Sequence, residues 1–235
     1  MLAIIAAALL IYPVSLAWIH TNNARCRKAW DQLQRFAMSH GIPIRPTPDG
    51  TGLTRFYDET QPIRMKSGWT SHMQGFKDSA GETRFPAVFR YCDQTFCEGL
   101  AFVVDADGRS GYIRPDGTWA FSVNFDHAAP FVNGLAHVRN EIPSDLITPV
   151  LRSGFIDTEG NVVIPVQYEA AEDCIGEFVL VHDRTWFSPI CDHLLDGLDI
   201  DPGLGWLLPD RLLILDKTGN QCSPRQVRNW IAATD

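Results

Sequence analysis

From Met1 to Ile19 the chain reads MLAIIAAALLIYPVSLAWI, and no side chain in that run is charged. As a helix rising 1.5 Å per residue it would span roughly 28 Å, close to the ~30 Å hydrocarbon core of a bilayer. The run therefore predicts a transmembrane or signal segment over 1–19. Asn23 to His40 changes character: Trp30, Leu33 and Phe36/Ala37 recur at three-to-four spacing, the apolar stripe of an amphipathic helix. Gly41 and Pro43 end it, so 20–43 is predicted as a helical stalk or a helix docked on the domain. The stretch 44–70, with Pro46, Pro48, Gly50, Gly52 and Pro62, reads as a linker. After it the pattern shifts to short alternating strands between turns.

Those strands repeat. GYIRPDGTWAFSVNFDHAAPFVNGLAHV (111–138) and GFIDTEGNVVIPVQYEAAEDCIGEFVLV (154–181) align without a gap. Gly111/Gly154, Ile113/Ile156, Gly117/Gly160, Val123/Val166, Ala128/Ala171 and Val138/Val181 are identical. An earlier copy, 75–103, shares Gly75 and Gly81 and ends in GLAFV against GLAHV, with one extra residue in the middle. A partial copy, LILDKTGN (213–220), keeps Gly219 but has Leu213 in place of the first glycine.

One unit shows the physics. Tyr112–Arg114 is a short strand, and Pro115-Asp116-Gly117 is a turn in which Gly supplies φ > 0. Trp119, Phe121 and Val123 then alternate with Ala120 and Ser122, so one sheet face is apolar. Asn133-Gly134, like Glu98-Gly99 in the earlier copy, signals a second turn before the strand Leu135–Val138. Three short strands cannot cover their own faces, so neighbouring units must. The expected fold is mainly β, a tandem antiparallel β-repeat array of solenoid or propeller type over 71–222. The residues predicted to be its structural and turn glycines are Gly75, Gly81, Gly99, Gly111, Gly117, Gly134, Gly154, Gly160 and Gly219.

These copies resemble the WG β-repeat family of bacterial proteins. Its unit reads Gly-aromatic-Ile-Asp-x-x-Gly-x-x-x-Ile-Pro, then an aromatic-acidic pair, then Phe and Gly-Leu-Ala-x-Val. GFIDTEGNVVIPVQYEAA carries the first half, and FVNGLAHV and FCEGLAFV carry the second. The resemblance covers about 75–220. Gln74, Ser110 and Ser153 stand where the family has the Trp that names it, and the third copy has Cys174-Ile175-Gly176-Glu177-Phe178 in place of Phe-x-x-Gly-Leu. The resemblance implies a β-rich repeat module with no general catalytic activity and no set ligand. It leaves topology open, because the repeat type occurs in membrane-attached, exported and cytoplasmic proteins.

Charge narrows the partners. The formal net charge of −8 and pI near 5.3 argue against nucleic acid, which needs a basic surface to displace counterions. Arg25, Arg27, Lys28 and Arg35 follow the apolar run while only the α-amino group precedes it. The positive-inside rule then favours an uncleaved single-pass anchor of a bacterial inner membrane, with the C-terminal domain in the cytoplasm. The alternative is a cleaved signal, with Ser15 and Ala17 at signal-peptidase spacing and the product periplasmic or secreted.

Candidate chemistry is sparse. Asp105-x-Asp107 opens like a calcium loop, but Arg109 and Ser110 stand where such a loop wants a ligand and Gly. Cys92, Cys97, Cys191 and His193 lack a second pair at zinc spacing. Cys97 falls in the repeat slot of Val132 and Ile175, and Cys174 in that of Phe131, so both read as core residues. Export would make disulfides possible. His127 aligns with Ala170, and His137 with Phe102 and Leu180, which fits packing or surface roles. No catalytic, metal or cofactor residue is expected, and no cofactor.

The long insertion before the last copy is apolar: Phe187, Ile190, Leu194, Leu195 and Trp206 read as a flap over the array or a protein-partner surface. Ser223 and Pro224 open a capping helix over 223–235. The leading reading is a non-catalytic, membrane-associated interaction or scaffold protein, attached through 1–19, with a protein partner of unknown identity. The runner-up is a cell-envelope enzyme or carbohydrate-binding domain.

Overall fold

The computed structural model describes residues 2–64, 68, 70–142, 150–183 and 211–235, with side chains from Ala17 onward. Helix α1 runs unbroken from Leu2 to His40, so the two expected segments are one helix. Its stripe Cys26, Ala29, Trp30, Leu33 and Ala37 is buried, the spacing of one helical face. Gly41 ends the helix at φ 69°, and Ile42 N–H reaches back to the Ala37 carbonyl at 2.9 Å. Among the described residues no helix is long and apolar enough to cross a membrane. The side chains of 2–16, which hold most of the apolar run, lie outside the described residues.

The strands are β1 (Thr54–Arg64), β2 (Thr70–Lys77), β3 (Thr83–Cys92), β4 (Ala101–Asp105), β5 (Ser110–Ile113), β6 (Trp119–Val123), β7 (His127–Ala128) and β8 (Leu135–Ile142). They continue with β9 (Val150–Asp157), β10 (Val162–Tyr168), β11 (Ala170–Ala171), β12 (Phe178–Asp183), β13 (Arg211–Asp216) and β14 (Gln221–Cys222). Helix α2 (Pro224–Thr234) closes the chain. They form three antiparallel sheets, in the orders β1-β2-β3-β4-β5-β6, β10-β9-β8-β7 and β11-β12-β13-β14.

The sheets are out of phase with the sequence repeat. Each joins the last strand of one unit to the first hairpin of the next, in one recurring register. Val103 lies opposite Gly111, Val138 opposite Gly154, and Val181 opposite Leu213. The second and third units are thus each shared between two sheets, which ties neighbouring copies together by backbone hydrogen bonds as well as by packing.

Because side chains alternate across a strand, each sheet feeds two cores. Phe102 and Tyr112 from the first sheet meet Ala136, Val138 and Ile156 from the second. Leu135 and Phe155, from the second sheet's other face, meet Val179, Val181, Leu213 and Leu215 from the third. The third sheet's outer face, with Phe178, Leu180, Leu212 and Ile214, is covered by Trp30 and Leu33 of α1 and Val227 of α2. The first sheet closes over Leu53, Phe76, Phe89 and Phe96. The described residues therefore form a linear stack of open sheets, with no closed barrel or propeller. Helices, not the first sheet, cover the last sheet, so the array ends instead of closing on itself.

Of the two readings of 20–43, the helix docked on the domain is the one found, since its stripe is core. One expectation is corrected. The 44–70 segment is not only a linker: residues 41–53 cross the side of the stack, and 54–64 is β1, paired antiparallel with β2. β1 shows mostly exposed positions and a register shift between Asp58 and Pro62. An edge strand tolerates Pro at such an irregularity.

Candidate functional site

The turns of the β-stack concentrate polar residues. Asp78, Asp105, Asp157 and Asp216 open equivalent Asp-x-x-Gly turns. Asp157 Oδ1 accepts from the backbone N–H of Glu159 at 3.0 Å and of Asn161 at 2.8 Å. Asp105 and Asp216 accept the same two amides of their own turns, and Asp78 does likewise. Burial alone would raise the Asp157 pKa, but the hydrogen bonds from Asn161, Glu159 and Gly160 outweigh it and hold the carboxyl below its usual range. These carboxylates are occupied in closing turns. The would-be calcium loop at Asp105 is one of them, and no His/Cys/Asp/Glu cluster suited to a metal occurs among the described residues.

The expected glycines divide into two kinds. Gly81, Gly99, Gly117, Gly134, Gly160 and Gly219 have positive φ and are turn residues. Gly75, Gly111 and Gly154 are not turns: each lies inside a strand. A Cβ on Gly154 would sit 2.6 Å from the Ile164 carbonyl oxygen, and one on Gly75 2.5 Å from that of Phe85. Gly111 meets the Phe121 carbonyl in the same way. At these positions the hairpin partner approaches too closely for any side chain. In the partial copy Leu213 replaces this glycine because β13 has only the two-residue strand β14 beside it, paired at Ile214 and Leu215.

The second turns form a line along one edge. Cys97 pairs with Leu100, Val132 with Leu135, and Ile175 with Phe178, so Cys97 does occupy the slot of Val132 and Ile175. Asn133 and Gly134 both have positive φ, the signature of a primed two-residue turn. In the third copy the glycine moves to the first central position, Gly176 at φ 56°, which the related primed turn uses. The motif departs there while the hairpin is kept.

Residues 41–53 run along this edge against the order of the units. Asn133 Nδ2 donates to the Pro43 carbonyl at 2.7 Å and to the Cys174 carbonyl at 2.8 Å. Further on, Asp49 Oδ2 accepts from Gly99 N–H at 3.0 Å, and Asp49 N–H donates to the Phe96 carbonyl. The first copy's extra residue lies here: Arg55 N–H bonds the Gln94 carbonyl and Thr95 Oγ1 bonds that of Leu53. The segment thus straps the third, second and first units in turn.

The other candidate side chains are structural. Cys26, Cys92, Cys97, Cys174 and Cys222 are free and buried. Desolvation pushes the Cys92 and Cys174 thiols up to about 12, far from reactive thiolates. His127 is exposed beside Glu141 at 3.4 Å. His137 is largely buried and stacks on Phe155 with ring centroids 5.2 Å apart. Gln74, in the place of the family's Trp, is buried and accepts from Cys92 N–H at 2.9 Å while donating to the Arg90 carbonyl.

No motif in the sequence sets apart the buried carboxyl of Asp93. Burial lifts it to about 7, although the Phe102 N–H that it accepts at 2.8 Å and nearby Arg55 pull the other way. Its signal is positional: Asp93 N–H bonds the Phe102 carbonyl as Ala129 bonds His137 and Glu172 bonds Leu180.

Phe187, Ile190, Leu194, Leu195 and Trp206 lie outside the described residues. Asp183 and Arg211, the described residues on either side of the insertion, pair at 2.6 Å. The next residue, Leu212, bonds through its backbone to Asn22 and Asn23 of α1.

No curated protein and no solved structure matches the chain. Residues 111–141 and 154–178 match the family model of the WG containing repeat. The first match spans β5 to β8, and the second runs from inside β9 to the first residue of β12. The chain thus carries two successive copies of the WG containing repeat.

Proposed function

We propose that this protein is a membrane-tethered interaction module, in which a stack of WG-type β-units is held at a membrane surface to receive a protein partner. One observation carries the reading. Helix α1 is continuous from Leu2 to His40, so the apolar run enters without a joint the very stripe that packs against the third sheet. A tether of this kind would hold the stack in a set orientation, which a flexible linker would not. The base of the insertion adds support: Leu212, just after it, bonds to Asn22 and Asn23 near the end of that run. On this reading 1–19 is an uncleaved anchor, the β-stack faces the cytoplasm, and Phe187, Ile190, Leu194, Leu195 and Trp206 form the partner surface.

A reporter active only outside the cytoplasm, fused after Asp235, tests the topology together with the size of the mature chain. Full length with a silent reporter is expected. A shortened chain with an active reporter would replace the anchor with an exported domain. Crosslinking in intact cells tests the partner surface, since deleting 185–208 should abolish the crosslinked species. Their persistence would remove the insertion from the interface.

A further inference from the structure

Helices α1 and α2 lie side by side over the last sheet and run in the same direction. Arg25 and Lys28 of α1 are level with Ser223 and Arg225 at the start of α2, while His40 and Asp235 meet at the far ends, 3.2 Å apart. Between the second half of α1 and the start of α2 is a cleft of about 680 Å³, lined by Arg25, Lys28, Gln32, Arg225 and Arg228 with Ser223 and Pro224. The lining carries four cationic side chains and no acidic one, in a chain whose net charge is −8. Among the described residues none of the four has a carboxylate within ion-pair distance, whereas Arg27 and Arg211 do.

The arrangement works against the helix that carries it. The start of a helix favours anions, yet α2 has no acidic residue in its first turn and places Arg225 there. Its positive end and its cations therefore add to the cations of α1. Gln32 Oε1 is buried in the same region without a hydrogen-bond partner. Turning that amide would aim its N–H groups where Oε1 now lies, an orientation a bound anion would favour.

Position selects the occupant. Arg25 lies six residues, or roughly 9 Å, beyond the end of the apolar run along one helix. That puts the membrane-side end of the cleft, at Arg25, just outside the headgroup layer, some 5–8 Å thick on each side of the hydrocarbon, and within reach of that long side chain. We propose that this cleft holds the phosphate-bearing headgroup of an anionic phospholipid, and so fixes the height and roll of the β-stack on the membrane. The inference rests on the membrane-tether reading and specifies its contact surface.

The test uses the full-length chain in detergent micelles, with native mass spectrometry counting bound short-chain phosphatidylglycerol, phosphatidylcholine or inorganic phosphate. Phosphatidylglycerol should bind in preference to the other two and weaken with added salt. Arg25→Gln with Arg228→Gln should weaken it about 25-fold, at roughly five-fold per cation. Lys77→Gln with Arg84→Gln, remote from the cleft, should leave it unchanged. Lys28→Gln with Arg225→Gln replaces the first pair if that pair lowers the melting temperature. Equal binding of the zwitterionic lipid, or an unchanged affinity in both cleft variants, would overturn the proposal. Phosphate binding as tight as the lipid's would reassign the cleft to a free anion. Alkaline extraction of cell membranes separates the two readings. A protein released by alkali that still selects phosphatidylglycerol refutes the tether alone, and a retained protein without selectivity refutes the cleft alone.

Discussion

The indole Nε1 of Trp30 donates to Glu172 Oε2 at 2.6 Å, with the ring wholly buried between α1 and the third sheet. The other carboxylate oxygen accepts from Arg27 Nη1, also at 2.6 Å. Glu172 holds the repeat position of Asp93 and Ala129, as the matching backbone bonds to Leu180, Phe102 and His137 show. A position that recurs along the stack is thus turned, in its last full unit, into the dock for the N-terminal helix.

Glu172→Ala should therefore loosen α1. It leaves a buried indole N–H without a partner, at a cost of about 1–3 kcal/mol. The half-exposed pair with Arg27 adds less than about 1 kcal/mol. Glu172→Gln keeps an acceptor for Trp30 and should lose only a fraction of this. Urea midpoints of the two variants test the order, and equal losses would show that charge, not the indole bond, makes the dock.

The in-strand and turn glycines should respond differently to alanine. Gly134→Ala meets open space and only the strain of φ 80°, about 1 kcal/mol. Gly154→Ala drives a methyl group into the Ile164 carbonyl and the Pro165 backbone, so β9 and β10 must separate and the loss should exceed 2 kcal/mol. Thermal melting of both variants measures the difference.

How far the sequence reaches can be read from such positions. The stripe of Trp30 and Leu33 announces a buried helical face through its period, but a period does not name the surface it meets. The Asp-x-x-Gly turns are legible because each closes on itself within five residues. The phase of the sheets is not, because Val138 opposite Gly154 is a pairing between units that no single unit encodes. β1 escapes notice because an exposed edge strand needs no apolar alternation, and Pro62 points to a loop. Gly154 is recognisable as special, yet its reason, a neighbouring carbonyl, exists only once the hairpin is folded. For the cleft between α1 and α2, Arg25 and Lys28 are visible as cations near the apolar run, but Arg225 and Arg228 join them only through the packing of the helices.

The strap of residues 41–53 makes a kinetic prediction. Asn133→Gly preserves the positive φ of 51° and removes only the amide that holds the Pro43 and Cys174 carbonyls. Hydrogen exchange of the backbone amides from Ile42 to Leu53 should speed up about ten-fold, the result of losing roughly 1.4 kcal/mol of local protection. Exchange in β12 and β13 should stay slow. Unchanged exchange in 42–53 would mean that the bonds of Asp49 and Leu53 secure the segment without Asn133.

Two buried titrating groups set opposing pH dependences. Asp93 is raised to about 7 by burial, so between its ordinary value near 3.8 and 7 the folded state binds the extra proton and stability falls as pH rises. His137 is lowered to about 4, by burial first and then by Arg139. Between 4 and 6.5 the unfolded state therefore binds the extra proton, and stability rises with pH. Over pH 4.5–6.5 the two slopes, each at most about 1.4 kcal/mol per pH unit, should largely cancel in the wild type. Asp93→Asn, which keeps an acceptor for Phe102 N–H, should leave a protein that gains stability as pH rises through this window. His137→Phe, matching Phe102 in the first unit, should leave one that loses it. Chemical denaturation at half-unit pH steps resolves both signs, and parallel profiles in the two variants would show that neither group titrates in this range.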